Sequence, residues 1–269
     1  MPTLSPSVRK SASLIYHFAE RESKARYKRS LLGWFWSFMN PLTTVIVYGF
    51  VFGVVYGAEA PSTANGNAEN FGLFLFCGLI SWSLFTGIIN GCMGWLQSVA
   101  DLRKKIYFPT ETALLGGAVS TGIQTALEAV VLVTIMALLG NLSWTVVFLP
   151  IALLLTGFFA LGIGFIASVM NARYRDVQYL IGIVLNVSFF LVPIVYTIDL
   201  VEQNASSTVV NLVQFNPPAL FVSIARDAVY FLQVPKLTEL LAAFAWTTVS
   251  FTTGWIYFRA RSMEISEEP

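Results

Sequence analysis

The side chains able to do chemistry in this sequence are few, and most of them are cations. Arg103, Lys104 and Lys105 stand in a row, and Ile106, Tyr107, Phe108 and Pro109 follow directly. Charge beside bulky apolar groups suits a contact, either with a soluble partner that covers it or with anionic lipid headgroups. Ser98, with Asp101 three residues on, gives a helix start and Pro109 gives a stop, so 98–111 reads as one short helix between two apolar runs. A second basic set, Arg26, Lys28 and Arg29, precedes the first apolar run and could attract an anionic headgroup. Glu128 is the clearest ionisable group inside an apolar run, where an acidic residue costs roughly 2.5–3.5 kcal/mol on insertion scales. Three readings are open for it: protonated, hydrogen-bonded to a neighbouring helix, or facing a wet pathway. Arg226 and Asp227 are adjacent charges in another apolar stretch.

Several chemistries are excluded. No GxxxxGK[ST] run occurs, so this chain is not expected to hydrolyse ATP by a P-loop. The single histidine, His17, leaves no pair for zinc or haem, and no metal site is expected. No GxSxG nucleophile elbow is present. Cys77 and Cys92 fall in one apolar run, about 22 Å apart along a helix and too far to bridge each other, so they read as packing residues. The start, MPTLSPSVRKSAS, has no apolar run before a small-residue cleavage site, and no removable signal is expected. A net charge of +1 gives no case for nucleic acid.

The elements that must position these residues are helices in a membrane. Hydrophobic residues make up 56% and charged residues 12%, against roughly 25% charged in soluble domains, so an all-α polytopic membrane protein is expected. Leu14, Ile15, Phe18 and Ala19 recur at helical spacing within a stretch too charged for lipid, which predicts an amphipathic helix over 8–32 in the plane of the inner interface. Apolar runs long enough to span follow at 36–57, 71–97, 113–139, 144–170, 177–198 and 238–258. Of the sixteen Lys and Arg residues, only Arg226 and Lys236 fall outside under a six-span topology, so both termini are expected in the cytoplasm. Two short re-entrant helices over 205–234 are preferred to a further span, because a span there would put Arg226 and Asp227 in lipid. Pro193, Asn216, Pro217, Pro218, Arg226 and Asp227 are thereby candidates for an outer gate, with an amphipathic cap on the outer leaflet as the alternative. Gly49, Gly53 and Gly57, and Gly87 with Gly91, form small-residue stripes for close helix contact. Trp82 and Phe85 are channel candidates, where an aromatic face could stack on sugar rings, with lipid contact or core packing as the default. Asn141-Leu142-Ser143 and Asn204-Ala205-Ser206 match the glycosylation triplet, a pattern common by chance.

Taken together, RYKRSLLGWFWSFMNPL, LRKKIYFPTE, NARYRDV, LVPIVYTID and FNPPALFVSIARDAVY, in this order across nearly the whole chain, resemble the permease subunits of ABC-2-type polysaccharide exporters. That family includes the O-antigen, teichoic-acid and mycobacterial galactan transporters. Tyr174, where phenylalanine is common, and Val192-Pro193, where a small residue often precedes the proline, depart from its pattern. The resemblance implies a homodimer of this chain with two copies of a separate ATP-binding subunit in a bacterial inner membrane. It implies that no cofactor is bound by this chain, with ATP and Mg at the partner. Residues 103–109 would be the coupling helix, and the helices around 205–233 the outer gate. The cargo would be a polyprenyl-pyrophosphate-linked polysaccharide, with galactan or an O-antigen-like glycan as the first guess. Membrane lipid is the other partner. A drug- or lipid-exporting ABC-2 permease, a secondary transporter and an integral-membrane enzyme are the rival readings.

Overall fold

The computed structural model describes residues 6–28, 30, 32–58, 60–106 and 108–262, and among them every regular element is helical. In chain order these are α1 (Pro6–Tyr27), α2 (Trp36–Tyr48), α3 (Phe71–Ser98), α4 (Ala100–Lys105), α5 (Glu111–Leu138), α6 (Phe148–Arg173), α7 (Val177–Leu191), α8 (Ile198–Asn204), α9 (Ser207–Gln214), α10 (Pro217–Val229) and α11 (Leu237–Arg261). Among the described residues four helices are long and apolar enough to cross a membrane: Trp36–Val55, Phe71–Lys105, Glu111–Leu138 and Trp144–Arg173. The last two predicted spans differ from that standard for local reasons. The expected 177–198 stops at Leu191, because Pro193 drives Val192 into an extended conformation (ψ 132°). The expected 238–258 is a helix of 25 residues, but Thr247, Thr248, Thr252 and Thr253 dilute its apolar character.

Helix α3 is the axis of the protomer. Its apolar window is 78% buried, against 6% for Trp36–Val55, so α3 is enclosed by neighbours while α2 offers its side chains to lipid or to another chain. Asn70 caps α3 through its side-chain oxygen, which accepts from the amides of Gly72 and Leu73. A Cβ on Gly72 would lie 2.9 Å from the Gly49 nitrogen, so the α2–α3 contact depends on the absence of a side chain there. Beyond Tyr48 the first span widens into a π-helix over Gly49–Val55, along which Tyr48, Phe52 and Tyr56 stack. Gly53 and Gly57 touch nothing beyond their own helix, so the predicted stripe closes only at Gly49.

Between α6 and α11 the two backbones meet, since a Cβ on Gly254 would fall on Gly162. Ser250 Oγ donates to the Phe159 carbonyl at 2.9 Å and Thr247 Oγ1 to that of Leu155 at 3.2 Å. Residues advance together along this seam, so α6 and α11 run parallel. At its far end Arg259 pairs with Glu111 at the start of α5 (3.1 Å).

Three short helices, rather than two, occupy 198–229, and α9 meets α10 at 74° across Phe215 and Asn216. Phe221 near the start of α10 meets Phe159, eleven residues into α6, or about 16 Å along it. At the other end of α10 the Tyr230 hydroxyl reaches the Pro61 carbonyl at 2.8 Å. Helix α10 therefore runs from the interior towards the end of the bundle that carries the loop after the first span.

Candidate functional site

The loop between α3 and α5 builds its face from a six-residue helix. Asp101 occupies the first turn of α4 and Arg103, Lys104 and Lys105 the last, the arrangement that a helix dipole favours. Ile106 then turns extended and ends the helix. The three cations do not act alike. Arg103 is half-buried and reaches towards the Ser262 carbonyl at 3.5 Å. Lys104, Lys105 and Ile106 point outward, with Ile106 58% exposed. Tyr107 lies outside the described residues. Phe108 is turned inward, its ring 5.6 Å from that of Phe18 on α1. Pro109 opens α5, its carbonyl accepting from the amide (3.0 Å) and hydroxyl (2.6 Å) of Thr112.

That contact joins the loop to α1, which packs along the first half of α5. Gly116 admits Phe18, since a Cβ there would lie 2.9 Å from the Ile15 carbonyl oxygen. Further along, the hydroxyls of Ser23 and Ser120 are 2.8 Å apart. Helix α1 thus follows α5 rather than resting on lipid alone. On its outer side Lys24 and Glu20 pair at 2.7 Å, which raises the lysine pKa and lowers that of the glutamate. Lys28 is exposed, and Arg29 lies outside the described residues.

Where α1 ends, a cleft of about 370 Å³ opens between α1, α2 and α5, lined by Arg26, Ser30, Trp36, Asn40, Gln124 and Glu128. The buried Ser37 hydroxyl donates to Gln124 Oε1 (2.9 Å), and Gln124 Nε2 donates to Glu128 Oε1 (3.2 Å). Glu128 stands at the wall of this cleft, and its hydrogen bond comes from its own helix rather than from a neighbouring one.

The gate candidates divide. Arg226 is 5% exposed and forms no ion pair among the described residues, with Asp227 or any other acid. Its guanidinium donates to the carbonyls of Pro193 and Ile194, and at 3.4 Å to that of Phe74, while lying 3.7 Å over the Phe74 ring. The carbonyls freed where α7 breaks are thus satisfied by a side chain from α10. Asn216 caps α10 through its carbonyl, and Pro217 and Pro218 fill the first-turn positions where no amide is needed. Asp227 is half-buried.

Trp82 and Phe85 are both buried within the protomer. Trp82 packs on Phe85 and Phe189, and Phe85 stacks on Phe159 at 5.8 Å. Theirs is the core-packing alternative. Asn141 is fully buried, its amide donating to the carbonyls of Val229 (3.2 Å) and Tyr230 (3.1 Å), while Thr145 donates to that of Ala228 (2.8 Å). The triplet at 141 thus caps a helix C-terminus, a use the sequence reading missed. Among the described residues no group of His, Cys, Asp and Glu could hold a metal.

Residues 13–230 match the ABC-2 type transporter family. An O-antigen export system permease protein of Myxococcus xanthus is 26% identical over 255 residues, covering 94% of both chains. A protein of the same description from Klebsiella pneumoniae is 27% identical over 217 residues, covering 80% of this chain and 79% of that one. A polysialic acid transport protein of Escherichia coli is 23% identical over 244 residues, covering 90% of each. A helical chain with several membrane-crossing segments, matched over most of its length, belongs to the ABC-2 type transporter family.

Proposed function

We propose that this chain is the permease subunit of an ATP-driven exporter that carries a polyprenyl-pyrophosphate-linked polysaccharide from the cytoplasm across a bacterial inner membrane. The observation that carries this reading is the end-to-end similarity to O-antigen export permeases, which leaves no large segment unmatched. Two copies of the chain work with two copies of an ATP-binding subunit, which holds the ATP and Mg. The uncovered apolar side chains of the first span and of α7, such as Phe50, Val54, Ile183 and Val187, are consistent with a second copy beside them in the membrane. The excess of cations in the tails and in the loops that join spans at one face supports cytoplasmic termini.

In this reading Lys104, Lys105 and Ile106 are covered by the ATP-binding partner, and its movement reaches α1 through Phe108 and Phe18. ATP must bind one arrangement of the complex better than another for this to do work. The cations Lys28 and Arg29 draw the lipid-linked headgroup to the inner face, and α8 to α10 form the outer gate. A galactan or O-antigen-like glycan is the cargo. The test is deletion of the gene and complementation. Surface polysaccharide should vanish on deletion and return with the wild-type gene. It should stay absent with Lys105→Ala/Ile106→Ala while ATP turnover by the purified complex persists. Undiminished surface polysaccharide in the deletion strain would overturn the reading.

A further inference from the structure

We infer that the cleft between α1, α2 and α5 is a subsite for one neutral sugar ring of the cargo, an assignment that rests on the polysaccharide reading above. Its volume of about 370 Å³ falls within the roughly 300–1,000 Å³ in which small ligands are held. The lining has the chemistry of a pyranose in outline. A sugar ring presents hydroxyls that donate and accept, together with flat faces of C–H groups. Asn40 and Gln124 offer carboxamides, Ser30 a hydroxyl, Glu128 a carboxyl and Arg26 a guanidinium. Trp36 is 44% exposed and supplies the apolar surface on which a C–H face can lie.

Two features separate this site from a phosphate site. Arg26 is the single cation among the lining residues and shares the cleft with the Glu128 carboxyl, whereas a phosphate site gathers several positive donors. The polar groups are also aimed in advance: the buried Ser37 holds Gln124, and Gln124 holds one oxygen of Glu128. The second carboxyl oxygen is left to accept from a ligand hydroxyl. Preorganised polar groups of this kind raise affinity by lowering the ordering cost of binding.

The test uses the full chain in lipid nanodiscs carrying Leu32→Cys, an exposed position between the cleft residues Ser30 and Trp36. Native Cys77 and Cys92 are both buried and give little background to a maleimide. Methyl β-galactopyranoside and methyl β-glucopyranoside are the probes, with inorganic pyrophosphate as the anion. One of the glycosides should slow labelling about tenfold when present at about ten times its dissociation constant, and pyrophosphate should not. Trp36→Ala in the same background should weaken that protection about threefold to tenfold, and Glu128→Gln should weaken it while leaving the unprotected labelling rate unchanged. Equal labelling with and without both glycosides would overturn the assignment. So would protection by pyrophosphate, or protection unchanged in Trp36→Ala. Surface polysaccharide in the deletion strain is scored separately. If it is lost on deletion while no glycoside protects, only the subsite falls; if it is undiminished, the exporter reading falls first.

Discussion

Arg226 should be the most consequential single side chain for the outer half of the protein. Replacing it with methionine keeps much of the volume but leaves the Pro193 and Ile194 carbonyls without a donor. Each unsatisfied buried acceptor costs about 1–3 kcal/mol, so the two together cost about 2–6 kcal/mol. Removing a buried charge returns part of that, so the net loss should be about 2–4 kcal/mol. For a chain of this size that corresponds to a fall of about 5–10 °C in the unfolding midpoint, read by size exclusion after heating in nanodiscs. Gly78 supplies the internal control. A Cβ at Gly78 would stand 2.9 Å from Arg226 Nη2 and 3.3 Å from Val222 Cγ1. Gly78→Ala should therefore displace a guanidinium that three carbonyls hold in place, at about 1–3 kcal/mol. In the Arg226→Met background the main obstacle is gone, and the alanine should cost under about 1 kcal/mol. Contacting residues show interaction energies of about 0.5–3 kcal/mol in such cycles, and distant ones add. A midpoint unchanged in Arg226→Met would refute the reasoning, as would additive effects of the two substitutions.

Phe18→Ala and Phe108→Ala should each lower transport-coupled ATP turnover, and the double variant should be little worse than either, since the two rings make one contact. Full additivity would mean that they act separately. Gly254→Ala should destabilise by more than the about 1–3 kcal/mol usual for overpacking, because the added carbon falls on the Gly162 backbone; a nanodisc melt within a degree of wild type would contradict that contact. Arg259→Gln should cost no more than about 1 kcal/mol, since Arg259 is well exposed in its pair with Glu111, and salt should erase most of the difference in melting.

Where helices start and stop was legible in part. Apolar length marked the spans and Pro217-Pro218 marked a break, but the span read over 177–198 stops ahead of Pro193, and the loop helix read over 98–111 is only Ala100–Lys105. What could not be read was which way a side chain turns, because that is decided by neighbours remote in sequence. Arg103 looks like Lys104 in a list of cations, yet only the end of α11 brings Ser262 to it. Core packing was one reading of Trp82 and Phe85, but which rings enclose them was not legible, since those come from α6 and α7. Gly162 and Gly254 have no shared local pattern, and their meeting follows only from the parallel course of α6 and α11. Arg226 was recognised as costly in lipid, but its partners are carbonyls, which every residue carries and no sequence pattern reveals. The cleft was half legible: Arg26 and Glu128 were singled out, while Ser30, Trp36 and Asn40 join them only through the turn between α1 and α2.

Two backbones pressed together without intervening side chains form a joint that cannot slide. With two hydroxyls of α11 fastened to carbonyls of α6 just ahead of the glycines, these helices act as a fixed mast to which α3 is strapped. In the exporter proposed above, any stroke would then be absorbed at the rim, by the π-wound first span and by short α7, whose flanks the fold leaves bare. The hub would stay rigid through each cycle, and the parts that travel would be those held most lightly.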